Sequence, residues 1–198
     1  MLTAKELYRK ILHLLLGISI ALAYQYDLLS PFTLLMMIIA GVIISILSKR
    51  IWLPFLSFFL EKLEREEEKK QFPGKGLIFF FVGVLLAVKL FPKDIALASI
   101  MILAFGDSIS HLIGARFGKI KNILNGDGKK LIEGTIAGII AGLLGAMFYV
   151  PFSQALLGST AAMLAEVVKI DFNENQLDDN VVIPLVAGTI MLLSQRFM

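Results

Sequence analysis

Seven apolar runs follow one another along the chain, each continuous rather than alternating and separated by short polar or proline-bearing joints. They cover Ile11 to Tyr26, Phe32 to Leu47, Gly76 to Leu90, Ile95 to Ile113, Leu131 to Val150, Ser153 to Val168 and Val181 to Ser194. Continuous runs of this length read as helices, whereas a membrane barrel would alternate with period two. Several are shorter than the roughly 20 residues that cross a hydrocarbon core, so flanking polar residues are expected to complete their end turns. Pro31, Pro92 and Pro151 stand at the joints. There a missing amide donor is tolerated and a fixed φ starts the next helix. The pattern predicts an all-α, polytopic integral membrane protein with about seven transmembrane helices, forming one membrane-embedded domain over residues 1–198. Lys5, Arg9 and Lys10 before the first run give it the look of a secretory signal. No cleavage pattern follows, and apolar runs recur to the last residues, so the first run is expected to be a retained span.

Composition strengthens this reading. Of 198 residues, 57% are hydrophobic and 18% charged, with a mean hydropathy of +0.80, against roughly 25% charge in a soluble domain. A chain with no cysteine has no disulfide framework, thiolate metal site or cysteine nucleophile. Two histidines, His13 and His111, argue against a histidine-rich metal centre. Placing the N-terminus in the cytoplasm puts 16 of the 19 Lys and Arg residues in cytoplasmic segments, the exceptions being Lys89, Lys93 and Arg196. That asymmetry predicts an N-inside orientation. The basic loops carry little aromatic interleaving, so no nucleic-acid partner is expected. Residues 49–75 combine an apolar stretch around Trp52 with a densely charged run. They read as a cytoplasmic amphipathic arm leaving along the interface.

The chemical signal lies in polar residues beside or inside apolar runs, where a carboxylate costs several kcal/mol unless paired, hydrated or coordinated. In the fourth run, Asp107, Ser110, His111 and Gly114 recur at three- and four-residue intervals, forming one helical stripe that ends near Arg116, Lys119 and Lys121. A polar seam that merely joins helices would look similar. The next segment, Asn125-Gly126-Asp127-Gly128-Lys129-Lys130, leads into a helix with Glu133 near its start. A glycine-rich turn before a helix offers amides to phosphate oxygens while lysines neutralise them. Residues 114–130 are therefore a candidate phosphate-binding loop, although Glu133 also suits a simple dipole interaction. Glu166 lies inside the sixth run, and Asp178, Asp179 and Asn180 precede the seventh. Such acids beside basic loops suit a divalent cation bridging carboxylates to phosphates, while Asn180 also suits an N-cap. At the amino end, Glu6, Arg9, Lys10 and His13 share one helical face.

Taken in order, these elements resemble the CTP-dependent polyprenol kinase superfamily, which includes dolichol, phytol and CTP-using diacylglycerol kinases, and more distantly the phosphatidate cytidylyltransferases. The likeness runs from Glu6-x-x-Arg9-Lys10-x-x-His13 through Arg65, Phe72-Pro73-Gly74-Lys75-Gly76 and Phe91-Pro92. It continues over Gly106-Asp107 to Gly118-Lys119 and Gly128-Lys129-Lys130-Leu131-Ile132-Glu133-Gly134, and closes on Ala165-Glu166 and Asp179-Asn180-Val181-Val182-Ile183-Pro184. Lys130 stands where the family pattern has a serine. The resemblance implies transfer of the CTP γ-phosphoryl group to a membrane lipid alcohol of isoprenoid or similar type, with Mg2+. It implies catalytic roles among Asp107, Glu133, Asp179, His13 and His111, and metal binding by Asp107, Glu133 and Asp179. Nucleotide contacts would come from Arg9, Lys10, Lys119, Gly128, Lys129, Lys130 and Asn180. Similar electrostatics would serve a CTP-dependent cytidylyltransferase attacked at the α-phosphate by a lipid phosphate. A small transporter would also use intramembrane polar residues, but its clusters should continue across the membrane, and here they collect at one face.

Overall fold

A computed structural model of the chain describes residues 3–49, 72–122, 130–168, 171–172 and 175–197. Most of the expected arm at 49–75, together with Gly128 and Lys129 of the expected phosphate loop, lies outside the described residues. The described segments are helical apart from a two-residue antiparallel pair, Asp171–Phe172 with Asn175–Gln176.

Helix α1, Ala4–Gln25, starts well before the apolar run, so Glu6, Arg9 and Lys10 belong to the same rod as His13. Thr3 begins it by accepting the Glu6 amide at 3.2 Å, a cap of the kind that contributes about 1 kcal/mol. Asp27 then reverses the chain in a left-handed conformation, φ 56°, and is reached by Lys93 Nζ at 2.7 Å. Helix α2, Pro31–Ser48, opens with a reciprocal Ser30–Thr33 capping box and proline in its first turn. Helix α3, Lys75–Leu90, begins after Gly74, whose φ of 80° suits a residue without Cβ.

The fourth apolar run becomes helix α4, Lys93–Phe117, 25 residues long. Its middle, Ile102–Asp107, is wound as a wider π-helical turn that ends on Asp107. Helices α5, Ile132–Ala146, α6, Phe152–Val167, and α7, Asp179–Phe197, complete the set. Residues 114–117, expected in the phosphate loop, form the last turn of α4 instead. Asp178, rather than Asn180, caps α7: its Oδ1 accepts the Asn180 amide at 3.1 Å.

Four helices, α1, α2, α4 and α7, are long and apolar enough to cross a membrane. Helices α3, α5 and α6 are apolar but span 15 or 16 residues. Burial ranks the four: 78% of the α4 window is buried inside the protein against 11% of α2. Helix α4 packs on α1, α3, α5, α6 and α7, whereas α2, among the described residues, leans mainly on α3 at the rim. The polar stripe thus runs down the central helix, not a peripheral one. Small residues permit this crowding. A Cβ at Gly134 of α5 would lie 2.5 Å from the Ser110 carbonyl oxygen of α4, so only glycine allows these backbones to meet. A second close approach involves Pro184, which has no amide to give the Asn180 carbonyl four residues earlier. Gly83 of α3 lies directly against that carbonyl, where any Cβ would clash.

Candidate functional site

The crossing of α1 and α4 brings Lys10 onto Asp107. Its ammonium donates to both carboxylate oxygens, at 2.8 and 2.7 Å, and both residues are buried. Ser108, one residue along α4, donates its hydroxyl to the Lys10 carbonyl at 3.2 Å. Side chain and backbone of Lys10 are therefore both fastened to the turn that the π-helical segment presents. His13, one turn further along α1, holds Nε2 3.5 Å from Asp107 Oδ2 without making a hydrogen bond there. Its ring stands edge-on to Phe80 of α3, with centroids 4.7 Å apart. His111 lies one turn beyond Asp107, with Nε2 4.0 Å from Glu6 Oε1 and Nδ1 buried without a hydrogen-bond partner. The α1 face carrying Glu6, Lys10 and His13 thus meets the α4 stripe carrying Asp107 and His111.

A second ion cluster sits on the other side of the stripe. Lys130 Nζ contacts Glu166 Oε1 of α6 and lies 3.4 Å from Asp179 Oδ2 at the start of α7. Ser110 Oγ lies 3.3 Å from both Glu166 oxygens. Burial by itself would lower the Lys130 pKa, but the facing Glu166 and Asp179 carboxylates outweigh it and raise the value above the ordinary lysine range. The ammonium is therefore charged at any physiological pH. Ser110, His111, Gly114, Lys130, Gly134 and Glu166 line a cleft beside this second cluster.

Glu133 is turned elsewhere. Its Oε1 accepts the Lys119 amide at 2.8 Å and the Ile120 amide at 3.1 Å. This clamps the chain leaving α4 to the first turn of α5, beside the bridge between Lys121 and Leu131. Lys119 enters this contact through its backbone, and its side chain is exposed. Asn122 donates to Thr135 Oγ1 at 3.3 Å, reinforcing the same junction. Asn180 Nδ2 donates to Asp178 Oδ1 at 2.8 Å and lies 3.5 Å from the Gly76 carbonyl. Arg9 is partly buried beside Lys10 on α1.

Of the expected site residues, the structure gathers Lys10, His13, Asp107 and His111 into one cluster and Lys130 and Asp179 into another. It leaves Glu133, Lys119 and Asn180 in supporting contacts. Among the described residues, no three His, Cys, Asp or Glu side chains form a ready cation site. Asp107, Glu166 and Asp179 nevertheless supply the hard oxygen donors that Mg2+ takes, each oxygen group now facing a lysine. Glu166, grouped by sequence only with acids that suit a divalent cation, has no catalytic, nucleotide or metal role among those the resemblance implies. Its signal was a single carboxylate within an otherwise apolar helix.

Fold and site define a helical membrane protein whose central helix carries one buried, lysine-paired carboxylate, Asp107, with a second, Glu166, on α6. No family model matches the chain, and no solved structure matches it. An uncharacterized protein of Methanocaldococcus jannaschii is 31% identical over 191 residues, covering 94% of this chain and 93% of that protein. The chain belongs to the same family as that archaeal protein. It is also similar to the CTP-dependent diacylglycerol kinase 1 of Schizosaccharomyces pombe, 27% identical over 66% of this chain and 64% of the yeast protein. The protein of that name in Saccharomyces cerevisiae is 24% identical over 96% of this chain and 73% of its own length. These likenesses support a CTP-dependent lipid kinase family.

Proposed function

We propose that the protein is a CTP-dependent lipid kinase, transferring the γ-phosphoryl group of CTP to the hydroxyl of a membrane lipid alcohol of isoprenoid or related type. The observation that carries this reading is the presence of two buried lysine–carboxylate pairs, Lys10–Asp107 and Lys130–Glu166, the second lining a cleft with His111, in a chain similar to enzymes named for that reaction. Phosphoryl transfer depends mainly on positioning and charge neutralisation, so fixed lysines and acids suffice without an exotic nucleophile. The names of the relatives favour transfer of the γ-phosphoryl over the cytidylyl group.

Lys130, with Lys129 and the amides around Gly128, would receive the phosphates, and Lys10 and Arg9 would add positive charge from α1. Asp107 and Asp179 would hold Mg2+ together with phosphate oxygens. When bound, the ion neutralises charge on the phosphates. Entry of the nucleotide would draw Lys130 from carboxylate to phosphate, leaving the Ser110 hydroxyl beside Glu166. His111 Nδ1, buried and lacking a partner, would accept the hydroxyl proton of the lipid alcohol, and His13 would steady Asp107. Glu133 would hold the loop in place through the Lys119 and Ile120 amides. Seven spans with the N-terminus inside, three of them short and completed by polar end turns, would place this site at the cytoplasmic face.

The decisive experiment incubates purified protein with γ-labelled CTP, magnesium and a panel of polyprenols, phytol, geranylgeraniol and diacylglycerol. Label in a phospho-alcohol, with CDP released, supports the proposal. Pyrophosphate and a CDP-lipid, formed from a lipid phosphate, would establish the cytidylyltransferase instead. No nucleotide turnover on any lipid would overturn the enzyme reading.

A further inference from the structure

We infer that Glu166 is the positioning residue that aims Lys130 into the cleft, an inference that rests on the kinase reading for its purpose but not for its physical test. Glu166 projects from the last turn of α6, near the end of the sixth apolar run, and is 4% exposed. A carboxylate so placed is costly, and apolar side chains in place of both Glu166 and Lys130 would stabilise the bundle at least as well. Its retention therefore calls for a task. The ammonium of Lys130 rests on Glu166, while Ser110 Oγ lies 3.3 Å from both carboxylate oxygens.

The lysine arrives at this contact already constrained. Its carbonyl accepts the Asn122 amide at 3.0 Å, so its backbone is fixed at the junction before α5. An unguided lysine stem has four rotatable bonds and a flexible point charge. With the backbone held at one end and the ammonium at the other, the side chain is confined to the wall that also carries His111 and Gly134. Ser110 adds a feature that a simple ion pair lacks. When an anionic phosphate draws the ammonium away, the serine hydroxyl, 3.2 Å from the Asp107 carbonyl as well, stays within donating reach of Glu166, which is then not stripped of every partner. Asp179, 3.4 Å from the same ammonium and more exposed, makes the weaker second contact.

The test compares the full-length wild type with Glu166→Gln, Lys130→Met and the double variant. Glu166→Gln should accelerate acylation of Lys130 by an amine-reactive probe, read by mass spectrometry, about tenfold, because the ammonium loses its charged anchor. Kinetically it should raise KM for CTP about tenfold while leaving KM for the lipid alcohol unchanged. In the Lys130→Met background, Glu166→Gln should add no further loss, since a residue acting through another has nothing left to act on. Unchanged Lys130 labelling would overturn the inference, as would additive losses or a parallel rise in both KM values. Should Glu166→Gln alone fail to fold, Lys130→Met, in which Ser110 still lies beside Glu166, and the double variant, which buries neither charge, keep the question open to test. Equal CTP affinity in those two supports the inference and a further fall in the double refutes it. A wild type inactive with CTP on every lipid would refute the kinase reading, while the labelling result would still decide the positioning role.

Discussion

Replacing Lys10 by methionine keeps most of the stem and removes the ammonium that donates to both oxygens of Asp107. The two side chains are each 9% exposed, so water cannot take the place of the lost partner. Breaking a buried ion pair by removing one member costs about 3–5 kcal/mol, since the other is left uncompensated. His13, 3.5 Å from Asp107 Oδ2, and Lys130 on the far side of the stripe provide partial compensation, which favours the lower end of that range. Asp107→Asn leaves Lys10 stranded in the same way, and its effect should be similar. The double variant Lys10→Met/Asp107→Asn buries neither charge. It should lose at least about 2 kcal/mol less than the sum of the two single losses, as expected for contacting residues. The assay is reversible unfolding of all four proteins in mixed micelles, followed by far-ultraviolet circular dichroism during titration with a denaturing detergent. Additive losses, within about 0.5 kcal/mol, would refute the claim that this pair fastens α1 to α4.

Asp107→Asn should also lower phosphoryl transfer by at least about 100-fold under conditions where the protein stays folded, given the usual scale of electrostatic and acid–base contributions. Near-normal turnover would remove Asp107 from the chemistry. Lys130→Ala should weaken magnesium-dependent CTP binding by roughly 10–150-fold, the equivalent of one charge-assisted hydrogen bond. Lys130→Ser, which restores the hydroxyl of the family pattern, should be less damaged, and equal loss in both would separate Lys130 from that position. Because the folded Lys130 pKa lies above its ordinary value of about 10.4, its ion pair is fully formed at neutral pH and is lost only as pH rises through the raised value. The stability difference between wild type and Lys130→Met should therefore be constant from pH 7 to pH 9, and a decline across that window would contradict the pairing. Gly134→Ala would press a methyl against the Ser110 carbonyl and should cost about 1–3 kcal/mol, measured by the same unfolding titration. Single cysteines at Lys121 or Asp178 should be labelled only after permeabilisation of cells, and labelling from outside would reverse the proposed orientation.

The sequence by itself determined the class of protein and the ingredients of the site. Apolar runs too long and too numerous for a soluble core require a helical solution in lipid, because every backbone amide there must find an internal partner. Charged residues inside those runs are legible for the same reason: hydrocarbon makes each expensive, so Asp107, Glu166 and His13 announce themselves one at a time. Helical spacing also put Asp107, Ser110, His111 and Gly114 on one stripe. Pairing was decided by the tertiary structure. Lys10 meets Asp107 across 97 positions, and Lys130 meets Glu166 across 36, separations over which no periodicity carries information. The central placement of α4 and the wide turn delivering Asp107 depend on how five neighbouring helices crowd around it. Glu133 shows the difference most plainly. Its place in the first turn of α5 was readable, but whether its carboxylate faced an ion, a helix dipole or a loop depended on the path of the chain after Phe117. That path returns the Lys119 and Ile120 amides to Glu133, and unpaired amides near a carboxylate are a stronger and closer attraction than the dipole alone.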